Sequence, residues 1–504
     1  MKKLTKTSKT FIKIGFFVIA FFLIPALGKT QIKKDTTFLK EVVVTATKTP
    51  QTLGNVTQKI EILTSKQIES TISGNRNICD FIQTQPGASV SVLSRNDANW
   101  GTYGGIGPKY STFMIQGLPI DAFIDPMSLD LEAFSRIEIQ KGPASVLYSN
   151  YLSQDFAGNQ SPLAGTVNLI PKERFAKPLT KISTSYGSYN TFNGQVYHQD
   201  TSKSIHYFAG VNYEMSDYTN YGTEGSWLNM KKNPEYRKTK VFGGATWFSN
   251  DNKHKVTLFL NKTFHVGDAG RVYRGFDNDY TTVNTGYSLK LSEKIGLQAN
   301  MGYRNYDRTW QESHFNIVDS LSSNNGVVQN IIPVDVLLTF QHGKESVLTA
   351  GVDYQGADYS TYSDPLQGYN SFGNKSTAMQ AGVYVQEEFH FWKLIARGGV
   401  RYNFTKNNIE LINGGAPGQK EKEWNAFLYS AGLKLNATKF LSIYANVGNS
   451  FTTPGLKSVG GTIQLDDTVN SGQLPNPNLK PESGLGIDAG FDISLPLNIK
   501  FAVR

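Results

Sequence analysis

The sequence predicts a mainly β protein: a transmembrane antiparallel β-barrel preceded by a smaller α+β domain. Three observations carry this. Over residues 178–504, apolar and polar side chains alternate with a period of two in one segment after another. The connections between those segments alternate between tight turns and long loops, and residues 38–176 instead mix short apolar strands, one apparent helix and Gly/Pro turns. The composition agrees. A chain of 504 residues with 18% charged side chains and one cysteine, Cys79, is neither a disulfide-stapled module nor a disordered acidic tail. The 25 Tyr and 30 Phe against 7 His point to β-rich surfaces rather than a metal or thiol centre.

The N-terminus reads as an export signal over residues 1–28. Lys2, Lys3, Lys6, Lys9 and Lys13 precede the apolar run Gly15 to Leu27, and Ala26 and Gly28 are small residues at a cleavage position. That run has 13 residues, short of the ~18 a membrane-spanning helix needs. Cleavage removes five lysines and no acid, lowering the formal charge from +9 to +4. No concentrated basic face then remains, which excludes nucleic acid as a partner.

The alternation is explicit. Ile205, Tyr207, Ala209, Val211, Tyr213 and Met215 share one face, while His206, Gly210, Asn212 and Glu214 share the other with only Phe208 apolar. Leu394, Ala396, Gly398, Val400, Tyr402 and Phe404 are set against Arg397, Arg401 and Asn403, and Leu485, Ile487, Ala489, Phe491 and Ile493 against Asp488 and Asp492. Fifteen such strands begin near residues 180, 191, 204, 239, 254, 282, 294, 326, 346, 378, 393, 425, 440, 484 and 498. Tight links such as Thr201 to Ser204 and Ser292 to Lys294 alternate with long ones such as Ser216 to Lys238, His265 to Tyr280, Tyr359 to Thr377, Lys406 to Trp424 and Thr452 to Ser483. Short turns at one rim and long loops at the other mark an outer-membrane barrel. Hairpins of this length in lipid must close, because each unpaired backbone group at an open edge costs several kcal/mol. Rings at strand ends, among them Trp247, Phe248, Phe389, Phe391 and Trp392, suit a membrane interface.

The first domain carries a specific likeness. Glu41, Val42, Val43, Val44, Thr45 and Ala46, continued by Thr47 and Lys48, resemble a TonB box. Ile78 to Ile82 followed by Gln85-Pro86-Gly87, Phe113 to Ile120, Arg136 to Tyr148 and Leu163 to Ile170 resemble, in order, the helix and strands of a plug domain. Ser450 to Pro454 and Asn476 to Glu482 are similar to late-barrel motifs of the same family. On these residues the chain is identified as a member of the TonB-dependent outer-membrane receptors. The resemblance implies a leader over residues 29–50, a plug over 51–176 inside the lumen, and a barrel over 177–504. It implies roughly 22 strands in the barrel, so fifteen strands and an ending in Ala502-Val503-Arg504, without a terminal aromatic, are expected of a C-terminally truncated sequence.

The function implied is active import without catalysis and without a resident cofactor. A small-molecule ligand, a metal chelate such as a ferric siderophore, binds from outside; a TonB-type inner-membrane complex pulls on the box; the plug opens a path. Cobalamin is the sibling cargo. A passive porin or adhesin is the alternative of another class, and it predicts no N-terminal plug. A barrel hydrolase needs a nucleophile beside a His base, and none of the seven His stands in such a motif. Arg136, Glu138, Lys141, Gly142 and Pro143 are read as a plug latch, either fixed or released by the pull, with Arg397, Arg401, Glu387 or Glu388 as the expected partners in the barrel wall. Tyr218, Trp227, Arg271, Tyr273, Arg274, Tyr359, Tyr362 and Tyr369 are the candidate ligand contacts, rings for a planar or amphipathic ligand and, with Lys231, cations for an anionic chelate. The spacing of His265, Asp268, Asp277 and Asp279 matches no metal-ligand pattern. Two departures from the family pattern stand out. Gln116 occupies a position that is commonly Arg, and Ser149 to Pro162 is longer than the usual link and is expected to form an extra apical loop.

Overall fold

The computed structural model describes residues 42–504 apart from 71–76, 93–98, 104–105, 144, 154–158, 218–230, 314–320, 344, 366–370, 411–420, 456–458, 460–463, 467–468, 472–475, 477 and 497–498. The export signal, the leader up to Glu41, and Tyr218, Trp227 and Tyr369 lie outside the described residues.

Chain order begins with a short antiparallel pair, β1 (Val42–Val43) and β2 (Gln51–Thr52). Then follow β3 (Lys59–Thr64), α1 (Ser65–Ser70), α2 (Ile78–Ile82), β4 (Ala88–Val92), β5 (Asn99–Tyr103), β6 (Ser111–Ile115), β7 (Leu118–Ile120), α3 (Asp125–Ser128), β8 (Phe134–Lys141) and β9 (Gly165–Pro171). Asn77 starts α2 by accepting the Cys79 N–H at 2.9 Å, the expected behaviour of an N-cap asparagine. Five strands form the plug sheet in the order β3-β8-β9-β6-β7, with only β6 and β9 parallel. Gln116 and Gly117 both take positive φ in the turn from β6 to β7.

The barrel sheet has fifteen antiparallel strands, each bonded to the next. They are β10 (Leu179–Gly187), β11 (Thr191–Ser202), β12 (Ile205–Ser216), β13 (Tyr236–Phe248), β14 (His254–Asp268), β15 (Gly275–Lys290), β16 (Ile295–Ser313), β17 (Leu321–His342), β18 (Ser346–Pro365), β19 (Ser371–Phe391), β20 (Leu394–Glu410), β21 (Glu421–Leu435) and β22 (Leu441–Thr452). After a small ribbon of β23 (Gln464–Asp466) and β24 (Val469–Ser471), β25 (Glu482–Ser494) and β26 (Lys500–Val503) complete it. No pairing joins β26 to β10 among the described residues, so the sheet is not closed. No described helix is long and apolar enough to cross a membrane; crossing falls to the strands.

Every predicted strand is present. Four of them, β15, β17, β19 and β21, begin at 275, 321, 371 and 421, four to seven residues earlier than the alternation indicated. The two faces are as read. Ile205, Val400, Tyr402 and Ile487 point outward and are exposed, whereas Asn212, Glu214, Arg397, Arg401 and Asp488 are buried in the lumen. Phe208, the apolar exception on the wet face, joins the inward rings of Tyr197, Phe242 and Phe259 against Phe113, Ile137, Ile139 and Leu169 of the plug. Phe134 and Phe259 lie with ring centroids 5.5 Å apart. Plug and barrel therefore share one apolar core on the β11–β14 side.

Glu132 fastens that side electrostatically. Lys172 of the segment after β9 and Lys181 of β10 approach its two carboxylate oxygens at 2.7 and 2.9 Å. Burial alone would push this carboxyl up, but the two ammonium groups outweigh it and hold it below the usual glutamate range. A depressed carboxyl contributes stability that is full above its ordinary pKa and lost as pH falls through the depressed one. Glu132→Gln is expected to cost about 2 kcal/mol of plug seating at neutral pH and to abolish the added protease sensitivity of the plug that the parent acquires only in strong acid, as pH falls below the ordinary glutamate range.

Candidate functional site

The segment after β1 is seated on the plug sheet. Thr45, Ala46 and Thr47 are fully buried, while Val42 at the outer end is exposed. One carboxylate oxygen of Glu138, on β8, accepts the Val44 N–H at 3.0 Å, the Thr45 N–H at 2.9 Å and the Thr45 hydroxyl at 2.6 Å. The other accepts Arg136 Nε at 2.7 Å. The Tyr148 hydroxyl donates to the Thr45 carbonyl at 2.8 Å, and Asn168 Nδ2 reaches Thr45 Oγ1 at 3.2 Å. All three polar atoms of Thr45, its N, O and Oγ1, are thus engaged. Toward the barrel, Gln386 donates to the Ala46 carbonyl and Thr349 to that of Thr47, each at 3.1 Å. Lys48 then pairs with Asp335 at 2.8 Å and lies 4.4 Å from the Tyr384 ring centroid. A carboxylate with no exposed surface requires such donors, since an unpaired buried charge costs several kcal/mol.

The remaining latch residues meet different partners from those expected. Lys141 pairs with Glu61 at 2.7 Å and donates to the Pro86 carbonyl at 2.5 Å, both within the plug. Arg136 and Lys141 are therefore each paired with a carboxylate of the plug itself. Arg397 instead meets Thr57 at 3.0 Å, Arg401 pairs with Asp353 at 2.6 Å, Glu387 with His342 at 2.7 Å and Glu388 with His390 at 3.3 Å. The physical reason is register: pairing of β3 with β8 sets Lys59 opposite Lys141 and Glu61 opposite Ile139, which brings the Glu61 carboxylate within reach of Lys141. Gly142 turns with φ +99°, and Asp488 of β25 lies where a Cβ would stand, 3.1 Å away. The turn needs glycine on both counts. Pro143 packs the same way, its Cβ 3.0 Å from the position a side chain at Gly486 would take.

At the long-loop rim the candidate contacts divide. Tyr273 is exposed in a turn with φ +54°, next to Arg271. Arg274 is paired with Glu312, and Lys231 with Asp268 at 2.7 Å, so neither cation stands uncompensated. Tyr359 is buried within β18, facing the lumen rather than the loops, and Tyr362 lies further along the same strand.

The arrangement of an N-terminal domain inside a sheet of long hairpins matches known proteins. The family model described as "TonB dependent receptor-like, beta-barrel" matches residues 238–503, more than half of the chain. This chain belongs to the TonB-dependent receptors. The model for the TonB-dependent receptor plug domain matches residues 52–151 of the receptor. A curated relative, the vitamin B12 transporter BtuB of Vibrio vulnificus, is 21% identical over 89% of this chain and 67% of its own length. Among solved structures, BauA, the ferric preacinetobactin receptor of Acinetobacter baumannii, superposes with TM-score 0.70 at 15% identity, covering 90% of this chain and 71% of that one. The alcaligin outer-membrane receptor FauA of Bordetella pertussis gives TM-score 0.67 at 15% identity over 92% and 72%. The family is one of receptors and transporters rather than enzymes, and with the β-barrel fold it indicates the outer membrane.

Two features of the receptor were not foreseen. The described parts of the extra link, Ser149 to Ser153 and Asn159 to Pro162, are buried between plug and wall, and residues 154–158 lie outside the described residues. Gln355 donates to Ser149 Oγ at 2.8 Å and to the Asn150 carbonyl at 2.6 Å. Asn150 donates to the Phe451 carbonyl at 2.5 Å, and Asn159 to Thr453 Oγ1 at 2.7 Å. The late-barrel motif around Phe451 and Thr453 is thus a docking strip for the described parts of this link, and Asn150, Asn159 and Gln160 in the link were the available signal. Gln116, in the place of the common Arg, donates to Glu173 at 3.2 Å, and Lys255 of β14 holds the same carboxylate at 3.0 Å. The contact to the barrel survives through a relay.

Proposed function

We propose that this receptor is an energised importer of a scarce nutrient, a ferric siderophore or a similar iron chelate, gated by movement of the plug. The observation that carries the reading is the seat of Val44 and Thr45 on Glu138, because a pull on the leader acts directly on β8, an inner strand of the plug sheet. The puller is a TonB-type inner-membrane complex, which captures the segment Glu41 to Ala46 by strand pairing once it is drawn out. Ligand contacts come from the long-loop rim, with Tyr273 and Arg271 as the described candidates; Tyr218, Trp227 and Tyr369 are proposed on sequence alone. BauA, a receptor for ferric preacinetobactin, favours iron. The B12 transporter relative keeps cobalamin as the second reading.

The test is uptake by cells carrying the receptor, offered 55Fe on citrate, hydroxamate and catecholate chelators and 57Co-cyanocobalamin in parallel. One iron chelate is expected to enter, and deletion of Val42 to Ala46 is expected to reduce its entry to background while leaving surface binding intact. Entry of cobalamin alone selects the second reading, and entry untouched by the deletion counts against energised transport.

A further inference from the structure

Between β17 and β20 the outward, lipid-facing side of the wall carries a hollow of about 650 Å³, within the ~300–1,000 Å³ of pockets that hold small ligands. Register explains it. Ala350 of β18 stands directly between Leu338 of β17 and Val385 of β19, and Val385 in turn faces Val400 of β20. The next outward row sets Val352 against Val383, both exposed, so one alanine among larger neighbours opens the gap. Of the outward side chains lining it only Tyr402 carries a polar atom, and that hydroxyl already donates to Asn425 at 3.0 Å. Chemistry narrows the occupant. An extended peptide would bring backbone N–H and C=O groups that nothing here pairs, and a helix, ~10–12 Å across, is too wide for a gap opened by one side chain between strands ~4.8 Å apart. A hydrocarbon chain asks for no partner.

The hollow ends in polar chemistry on its tight-turn side. On the same outward face Val385 is followed by Glu387, and Leu338 by Phe340 and His342. One ring nitrogen of His342 meets the Glu387 carboxylate at 2.7 Å, and the imidazole stacks with Phe340 and Phe389, centroids 5.7 and 6.4 Å away. The two side chains are 32% and 37% exposed, and the other ring nitrogen and the other carboxylate oxygen have no partner among the described residues. Toward β20 the approach to Glu387 is open, because its neighbour across the ladder is Gly398, where a Cβ would touch nothing within 4 Å. Charge on the lipid side of a barrel costs free energy, so the pair points to a ligand carrying both signs of charge. The exposed rings of Phe389, Phe391 and Trp392 run on to the turn, a belt of the kind that marks a membrane interface.

We propose that β17–β20 hold one ethanolamine phospholipid from the tight-turn leaflet, with an acyl chain in the hollow over Ala350, the phosphate at His342 and the ammonium at Glu387. An imidazolium donates from both ring nitrogens, so His342 can hold Glu387 with one and a phosphate with the other. The ammonium brings charge-assisted N–H donors to the free oxygen of Glu387. Choline has no N–H to give, and glycerol no cation. The site is independent of what the receptor imports. Native mass spectrometry of the full chain in detergent reads it, with phosphatidylethanolamine, phosphatidylcholine and phosphatidylglycerol of identical palmitoyl-oleoyl chains offered in equal amounts. The ethanolamine lipid is expected to be retained about fivefold over either of the others, a modest effect for one charge-assisted hydrogen bond. Glu387→Gln should remove most of that preference. His342→Phe, which keeps the ring stack but offers the phosphate nothing, and Ala350→Leu, which fills the hollow from the lipid side, should each lower retention of all three. Ala209→Leu, an outward alanine of β12 away from the hollow, should change nothing. A parent that prefers no head group or prefers phosphatidylglycerol, a preference untouched by Glu387→Gln, or retention untouched by His342→Phe and Ala350→Leu overturns the proposal.

Discussion

Glu138→Ala is expected to release the segment Val42 to Thr47 from the plug at a local cost of about 3–5 kcal/mol, the range for breaking a buried charge cluster by removing one partner. The substitution deletes the acceptor of three hydrogen bonds from Val44 and Thr45 and leaves Arg136 without its carboxylate. The Tyr148, Gln386 and Thr349 bonds to the backbone carbonyls remain, so detachment is partial at the Lys48 end and complete near Val44. Hydrogen exchange in detergent reads this directly: the Val44 and Thr45 amides should lose most of their protection, while amides of the barrel sheet keep theirs, because opening here is local. Glu138→Gln, which retains one oxygen acceptor but turns an NH2 group toward other donors, should lie between the two. Unchanged protection at Thr45 in Glu138→Ala would mean that the barrel contacts alone seat the segment. In cells, a pre-released segment should be reached by the energy-transducing partner without ligand, and crosslinking at Val42 should lose its ligand dependence.

The same cluster shows what can and cannot be read from one sequence. Arg136 and Glu138 are two residues apart on one strand, hence on one face, and their pairing follows from the period of two. The partner of Lys141 does not, because Glu61 is 80 residues away and meets it only through the register of β3 against β8. Barrel strands were legible where lipid touches them: one face must be apolar over the bilayer thickness, and that demand writes a repeat into the chain. Above the lipid the demand ends. The first residues of β15 and the last of β16 continue the hairpin with mostly polar side chains, the rings of Phe276 and Trp310 in register among them, so the alternation is lost although the ladder persists. For that reason Arg274 looked like a loop cation open to ligand, when it stands just before β15 and is paired with Glu312 of β16. The link from Ser149 to Pro162 misled in the opposite sense. Its length beyond the usual link suggested an apical loop, but the lumen of this barrel is itself polar, and Asn150 and Asn159 of the described residues find their partners on the barrel wall.

Arg401→Ala is expected to be the most damaging single change in the barrel wall, lowering the stability of the detergent-solubilised barrel by about 3–5 kcal/mol. Arg401 of β20 has a fully buried side chain and grips Asp353 of β18 with both terminal nitrogens, at 2.6 and 2.7 Å. To do so it crosses β19, and it can cross because the intervening inward position is Gly382: a Cβ there would collide with the guanidinium. Its Nε donates to Asn403 at 2.5 Å and its Nη1 also reaches the Val146 carbonyl of the plug at 3.4 Å, so three strands and the plug meet at one cation. Removal leaves the Asp353 carboxylate, itself nearly without exposure, with no counter-charge. The cost is that of the orphaned acid more than of the lost attraction, which makes a sharp prediction about the pair. Replacing both, Arg401→Met with Asp353→Leu, should restore most of the loss, because two apolar side chains of similar volume have no charge to desolvate. Urea unfolding of the four proteins in a double-mutant cycle measures the coupling, expected at about 2 kcal/mol or more for residues in direct contact. Gly382→Ala should reproduce much of the Arg401→Ala loss without removing any charge, by closing the passage over β19. Should the double replacement be no better than Arg401→Ala alone, the wall would owe its stability here to the shape of the arginine and its bond to the plug, and the charge pair would be incidental.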